Sequence, residues 1–302
     1  MAEERGSLKT TGSQGYGAIG SGSSSLSTAP PDDLYESENV HGWRGIKYRL
    51  RELFAETLGT FVLVAFGLGG VAQTVLSKGG NGNWLTLALS FGLGLTFAIV
   101  VAGRISGGHF NPAVTITLAV YRQFPWIKVP LYTIAQTTGA FIAAFVIFTN
   151  YYPAIDAFDG GHRAVTGPNA TAGIFATYPQ AFVGTTAAFI SEALGTFFLL
   201  LVILAVTDEK NDAVRPAAPF LIGLSLATIG IAFGYETGFS LNGARDFGPR
   251  LFTAIAGYGG EVFTVDHWYF WVPLVAPVCG GLTAGFVYDS LIYTGKSPLN
   301  RA

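Results

Sequence analysis

Charged residues are so sparse in this 302-residue chain that the gaps between them measure out its fold. Residues 57–77, 79–103, 129–155, 216–235 and 267–288 contain no Asp, Glu, Lys or Arg, and residues 181–207 contain only Glu192. A helix needs roughly 20 apolar residues to cross a hydrocarbon core of about 30 Å. The six stretches therefore predict six spanning helices. Composition agrees: half of the residues are hydrophobic and 12% are charged, about half the charged share of a soluble domain. A net charge of -2 removes the electrostatic case for a nucleic-acid partner. Cys279 is the one cysteine, which rules out an internal disulfide framework and a Cys-based zinc site.

Two further apolar pieces are too short to span. Residues 105–121 begin with Ser106-Gly107-Gly108-His109, and a similar piece between Glu236 and Gly260 begins with Thr237-Gly238-Phe239-Ser240. Both read as re-entrant, a non-helical approach followed by a half-helix. Such backbone is tolerated at membrane depth only inside protein or along a watery cavity. The first apolar run starts after Arg51, too late for a cleaved leader. Residues 1–43 are rich in Ser and Gly and read as a disordered tail, either a solvated leader or a phosphoregulatory segment. Residues 44–295 form the membrane domain, and 296–302 a short second tail.

Basic residues orient the spans. Arg44, Lys47, Arg49 and Arg51 precede the first. Arg104, Arg122 and Lys128 lie in the second connection, Lys210 and Arg215 in the fourth, and Lys296 and Arg301 in the tail. The first and third connections carry only Lys78 and Arg163. Both termini are therefore expected on the cytoplasmic side. Arg245 and Arg250 fall on the outer side against this rule, which suits a segment folded into the protein. Asn169-Ala170-Thr171 is then an external sequon, a candidate glycosylation site of a kind that also arises by chance.

The chain also repeats itself. Ala55-Glu56-Thr57-Leu58-Gly59-Thr60-Phe61 returns as Ser191-Glu192-Ala193-Leu194-Gly195-Thr196-Phe197, and His109-Phe110-Asn111-Pro112-Ala113 returns as Ser240-Leu241-Asn242-Gly243-Ala244. The echoes come in the same order at nearly the same offset, giving a first repeat of about 50–155 and a second of about 180–292. Each half holds three spans, an odd number, so the halves must be inverted. Inverted repeats mark transport proteins with the pathway at the repeat interface.

Two half-helices of about 10 residues, each about 15 Å long, would together fill the apolar thickness and meet near the midplane. The two Asn triplets sit at that meeting point. Asn caps a helix through its side-chain oxygen, leaving its NH₂ able to donate to a passing solute. Pro112 suits the first helical position. The facing helix dipoles repel cations, while a neutral solute can exchange its hydrogen bonds there.

Residues 106–115 resemble the first signature of the aquaporin and glycerol-facilitator family, and residues 238–250 resemble the second. With the duplicated Glu-x-x-Gly-Thr starts, the resemblance covers roughly residues 50–292. It implies an all-α transmembrane fold of six spanning helices plus two re-entrant half-helices. It also implies a homotetramer with one pore per subunit, in the plasma membrane, with no cofactor and no metal. The pore motifs are Asn111-Pro112-Ala113 and Asn242-Gly243-Ala244. Gly243 departs from the family, where Pro is expected, and together with the long tail looks more fungal than bacterial. The implied outer constriction is Phe91, Gly230, Phe239 and Arg245. Phe91 and Phe239 would form an apolar corner for a carbon backbone, with Arg245 bonding hydroxyls on the other side. Water-selective members place His where Gly230 stands; Gly230 removes that side chain and is expected to widen the gap, and Asp246 resembles the glycerol branch. Phe at the Phe91 position also occurs in water-selective members. Glu56 and Glu192 are implied to accept N–H groups from the re-entrant loops, and His109 either lines the cytoplasmic vestibule or is simply a buried histidine. Trp268, Tyr269 and Trp271 read as an interfacial anchor.

The reading is a passive channel for glycerol, other small neutral solutes and water that excludes ions and protons. Its alternatives are a water-selective channel, a secondary transporter, and a non-conducting junction or scaffold protein. An enzyme is not expected, because the sequence offers no nucleophile–base pair or phosphate loop.

Overall fold

The computed structural model describes residues 41–300. Residues 1–40 of the expected N-terminal tail, and residues 301–302, lie outside that range. All regular structure among the described residues is helical. The first repeat holds α1 (Gly42–Leu76), α2 (Trp84–Ala98), α3 (Arg104–Ser106), α4 (Pro112–Tyr121) and α5 (Lys128–Asp159). The second holds α6 (Thr185–Thr207), α7 (Ala218–Phe233), α8 (Gly243–Thr253), the short α9 (Glu261–Trp268) and α10 (Val272–Leu291). A π-helical turn, Ile99–Gly103, joins α2 to α3, so these run as one span. Among the described residues, six helices are long and apolar enough to cross a membrane; α4 and α8 are the two short ones at the Asn triplets.

Local sequence sets the boundaries. Asn83 starts α2 through a capping box: its side chain accepts the Thr86 N–H while the Thr86 hydroxyl accepts the Asn83 N–H. Asn111 and Asn242 cap α4 and α8. Gly160, at φ 67°, ends α5 in the left-handed conformation that glycine adopts without strain. At 1.5 Å per residue, α1 is longer than the apolar slab. Its first turns, with Arg44, Lys47, Arg49 and Arg51, run past the slab and bring the helix start well before residue 57.

The helices pack as two related sets. α1 lies against α2 and α5, and α6 lies against α7 and α10 in the same way. α2 and α7 join the repeats across the interface. There Gly92 and Gly223 face one another, and a Cβ on either would come within 2.6 Å of the other's carbonyl oxygen. Such backbone approach is a feature of membrane helix packing, where small residues supply the contact. Each half-helix reaches across to the other repeat, α4 to α10 and α8 to α5. Large apolar side chains such as Ile134, Val100 and Ile190 point outward and are exposed, as a lipid-facing surface requires.

Two expectations need correction. The sixth span does not begin at residue 267: Asp266, His267 and Trp268 all have positive φ, and the helix resumes only at Tyr269–Trp271 and α10. Tyr269 is buried, so of the three aromatic residues only Trp268 and Trp271 can act as an interfacial anchor.

Candidate functional site

The N-termini of α4 and α8 meet head to head, and their capping residues are cross-linked. Asn111 Oδ1 accepts the Ala113 N–H at 2.8 Å, and Asn242 Oδ1 accepts those of Ala244 and Arg245 at 3.0 and 3.2 Å. Asn111 Nδ2 donates to the Leu241 carbonyl and Asn242 Nδ2 to the Phe110 carbonyl, both at 2.8 Å. An Asn amide carries two N–H donors. One of each pair is thus used by the opposite loop, and the other has no hydrogen-bond partner among the described residues. Phe110 and Leu241, the residues before the two caps, share positive φ values of 49° and 54°. Two non-glycine residues in the same sparsely populated conformation mark a backbone held by its surroundings.

Buried carboxylates hold those loops. Glu56 accepts the His109 N–H at 3.1 Å and the Phe110 N–H at 2.8 Å. It also accepts Ser106 Oγ at 2.5 Å and Gln136 Nε2 at 2.7 Å. Glu192 accepts the Ser240 and Leu241 N–H groups at 2.9 and 2.7 Å. His109 is buried, with its ring centroid 4.7 Å from that of Phe124 and 5.2 Å from that of Tyr132, and its Nδ1 3.1 Å from Thr115 Oγ1.

On the α8 side, Phe91, Phe239 and Arg245 come together, with exposures of 3%, 4% and 5%. Phe91 and Phe239 meet edge to face, centroids 5.5 Å apart at 81°. Arg245 does not stand clear across from this corner. Its Cζ lies 4.6 Å from the Phe91 centroid, a cation–π contact, while Nη1 donates to the Phe175 carbonyl at 3.1 Å. Gly230 lies directly beneath Phe239: an added Cβ would be 2.9 Å from two ring carbons. The missing side chain therefore makes room for the Phe239 ring, and any side chain at 230 must displace it.

A match to the major intrinsic protein family covers residues 43–288. The chain belongs to that family. It is similar to "Aquaglyceroporin-2" of Rhizophagus irregularis, 61% identical over all of this chain and 97% of the relative. It also resembles rat "Aquaporin-9", 41% identical over 83% of this chain and 85% of that one. Among solved structures, the aquaglyceroporin of Plasmodium falciparum matches with a TM-score of 0.73 at 38% identity, covering 80% of this chain and 96% of that one.

Several supports of this major intrinsic protein's site escaped the sequence reading. Arg250 is fully buried and donates from Nε to Asp246 Oδ1 at 2.8 Å, and from Nη1 and Nη2 to the Val262 and Thr177 carbonyls at 2.6 Å. Asp246 Oδ2 accepts the Thr177 backbone N–H and hydroxyl. These bonds pin the loop that presents Phe175 to Arg245. The i,i+4 spacing of Asp246 and Arg250 was a visible signal; the part played by Thr177, 69 residues from Asp246 in sequence, had none. Both arginines that broke the basic-residue rule are buried in protein. Farther out, Tyr258 lies 2.7 Å from the Thr171 hydroxyl. Burial pushes its phenol up to about 12, so it stays protonated. Asn169 is exposed on the same loop. Ser106, Gln136 and Trp84 were also missed.

Proposed function

We propose that the chain conducts glycerol and other small neutral solutes through the site just described. It is a passive channel for glycerol and water, and glycerol passage distinguishes it from a water-selective channel. The observation that carries the solute assignment is the placing of two phenyl rings and one guanidinium at the same level. Phe239 and Phe91 offer apolar edges to a carbon backbone, while Arg245 offers fixed donors to hydroxyls. Below this level, the two Asn amides supply one free donor each, so a solute can exchange water hydrogen bonds for protein ones.

Ion and proton exclusion follows from the same parts in this reading: a permanent charge at Arg245, then two positive helix ends at the midplane. A homotetramer in the plasma membrane with cytoplasmic termini completes the proposal. The basic residues at the start of α1 and the family membership support it.

Stopped-flow light scattering on proteoliposomes tests the solute assignment. A sorbitol step reads water and an iso-osmotic glycerol gradient reads glycerol. Glycerol swelling well above that of empty liposomes, non-saturating with concentration, is expected, and Gly230→His is expected to abolish it by displacing Phe239. Water flux with glycerol no faster than empty liposomes would move the assignment to a water channel. Saturating glycerol flux would indicate a carrier, and no flux of either solute a junction or scaffold role.

A further inference from the structure

Trp84 sits at the first turn of α2, 40% exposed, where a tryptophan ordinarily turns its indole N–H toward lipid headgroups. Here the indole turns inward. Nε1 donates at 2.8 Å to the carbonyl of Gly230, a residue of the opposite repeat 146 positions away. Its ring meets Phe239 edge to face, with centroids 5.9 Å apart at 73°. The contact is made possible by a second bare backbone position: a Cβ at Gly234 would lie 2.6 Å from both Phe239 Cδ1 and Trp84 Cζ2.

Phe239 is thereby enclosed on three sides. Gly230 lies beneath it, Phe91 on one edge and Trp84 on another. Its backbone has φ 42°, so its own chain does not favour the position. Arg245, the remaining wall, is fixed by the Phe175 carbonyl and the Phe91 face. Phe239 and Gly230 both lean on the partly exposed Trp84, one through its ring and the other through its carbonyl. The width of the constriction is then set by whatever holds that ring.

We propose that Trp84 is a positioning and specificity-determining residue, an outer jaw that clamps Phe239 on Gly230 and so limits how large a polyol passes. It touches no solute and acts through the ring and the carbonyl. The indole ring blocks outward swing of Phe239, and the N–H···O bond locks α2 to α7 so that the block cannot slide. This deepens the glycerol-channel reading and rests on it.

The test compares solutes within one preparation, because a ratio is independent of how many folded channels the liposomes hold. Glycerol and the four-carbon polyol erythritol are measured by stopped-flow on wild-type, Trp84→Ala and Trp84→Phe proteoliposomes. In Trp84→Ala the erythritol-to-glycerol ratio should rise by about tenfold, the low end of what a pocket discriminates over one carbon unit. Trp84→Phe, which keeps a ring but loses the N–H, should fall between it and wild type. A role in folding alone would lower both fluxes and leave the ratio fixed. An unchanged or lowered ratio in Trp84→Ala overturns the proposal. If that variant does not reach the liposomes, an unchanged ratio in Trp84→Phe does so. Wild-type liposomes without glycerol flux would instead overturn the channel reading itself.

Discussion

The two re-entrant halves share a backbone and differ in almost every side chain that surrounds it. Both have an Asn cap, a residue of positive φ before it, and a carboxylate accepting two successive loop N–H groups. Residues 105–121 of the α4 half carry no Asp, Glu, Lys or Arg, and the buried His109 packs among aromatic rings. The α8 half carries Arg245, Asp246 and Arg250, all buried. The shared parts build the meeting point of two helix ends, which needs symmetry. The unshared parts build a constriction on one side only, which needs charge, and buried charge needs its own partners. The difference teaches that duplication supplied the conduit, and divergence of one half supplied the discrimination.

The sharpest break in that comparison is Arg250. It is the partner that keeps Asp246 satisfied, and nothing in the α4 half corresponds to it. Arg250→Met leaves a buried carboxylate without its cation, which should cost about 3–5 kcal/mol. Thermal unfolding in detergent should show a large drop in midpoint. Arg250→Met combined with Asp246→Leu should recover part of it, since removing both charges is milder than removing one. A single variant as stable as wild type would mean that Asp246 is held by Thr177 alone.

The paired carboxylates come next. Glu56→Gln and Glu192→Gln each turn an amide NH₂ against a loop N–H, losing a charge-assisted bond of about 1.5–3 kcal/mol. The α4 half has side chains that can adjust. The Ser106 hydroxyl can turn to accept, and Gln136 Oε1 is buried without a hydrogen-bond partner, so it can take a new donor. Glu192 rests on two backbone groups and has the Thr237 hydroxyl beside it, where Glu56 has two side-chain partners. Glycerol flux per folded channel should therefore fall further in Glu192→Gln than in Glu56→Gln. Equal losses would show that the side-chain partners add nothing.

Arg245 separates the halves by charge rather than stability. Arg245→Val should keep water flux, weaken glycerol passage, and raise leakage of a small cation such as methylammonium, because the permanent charge at the constriction is gone. His109→Ala, on the α4 side, should leave methylammonium exclusion unchanged. Equal leakage in the two variants would place the charge barrier at the midplane instead.

The conduit was legible in the sequence because it is written locally and twice. Gaps between charges gave six spans, and two Asn caps gave two half-helix starts, each depending on neighbours within a few residues. The surroundings of the constriction were less legible because they are non-local. The bond from Trp84 to Gly230 crosses from one repeat to the other, and Arg245 meets the Phe175 carbonyl 70 residues away. No periodicity announces such pairs. Gly230 was read as empty space, when its lack of a side chain is a seat for Phe239. A glycine alone does not say what fills the room it leaves. Tyr269 was misread for a related reason: the turn at Asp266–Trp268 directs its ring inward, and only the backbone reveals that turn.

The smallest effect is expected where the halves differ by one cap-adjacent residue. Pro112 and Gly243 occupy the same first helical position, where the backbone N–H has no intrahelical partner to lose. A Cβ at 243 would meet Leu274 Cδ2 at 3.2 Å, with Leu274 Cα and the Pro273 carbonyl oxygen at 3.4 Å. The nearest of these is the tip of a side chain that can shift by a few tenths of an ångström. Asn242 already has the extended backbone, φ -154° and ψ 108°, that a following proline requires. Gly243→Pro should therefore fit, and by restricting the unfolded chain should stabilise by up to about 1 kcal/mol. Glycerol flux should stay close to wild type, because Asn242 keeps its cap and its bond to Phe110. A marked fall in flux with unchanged stability would show that the α8 start needs the looseness of glycine. The two half-helix ends would then differ in their motion at the midplane as well as in the charges beside it.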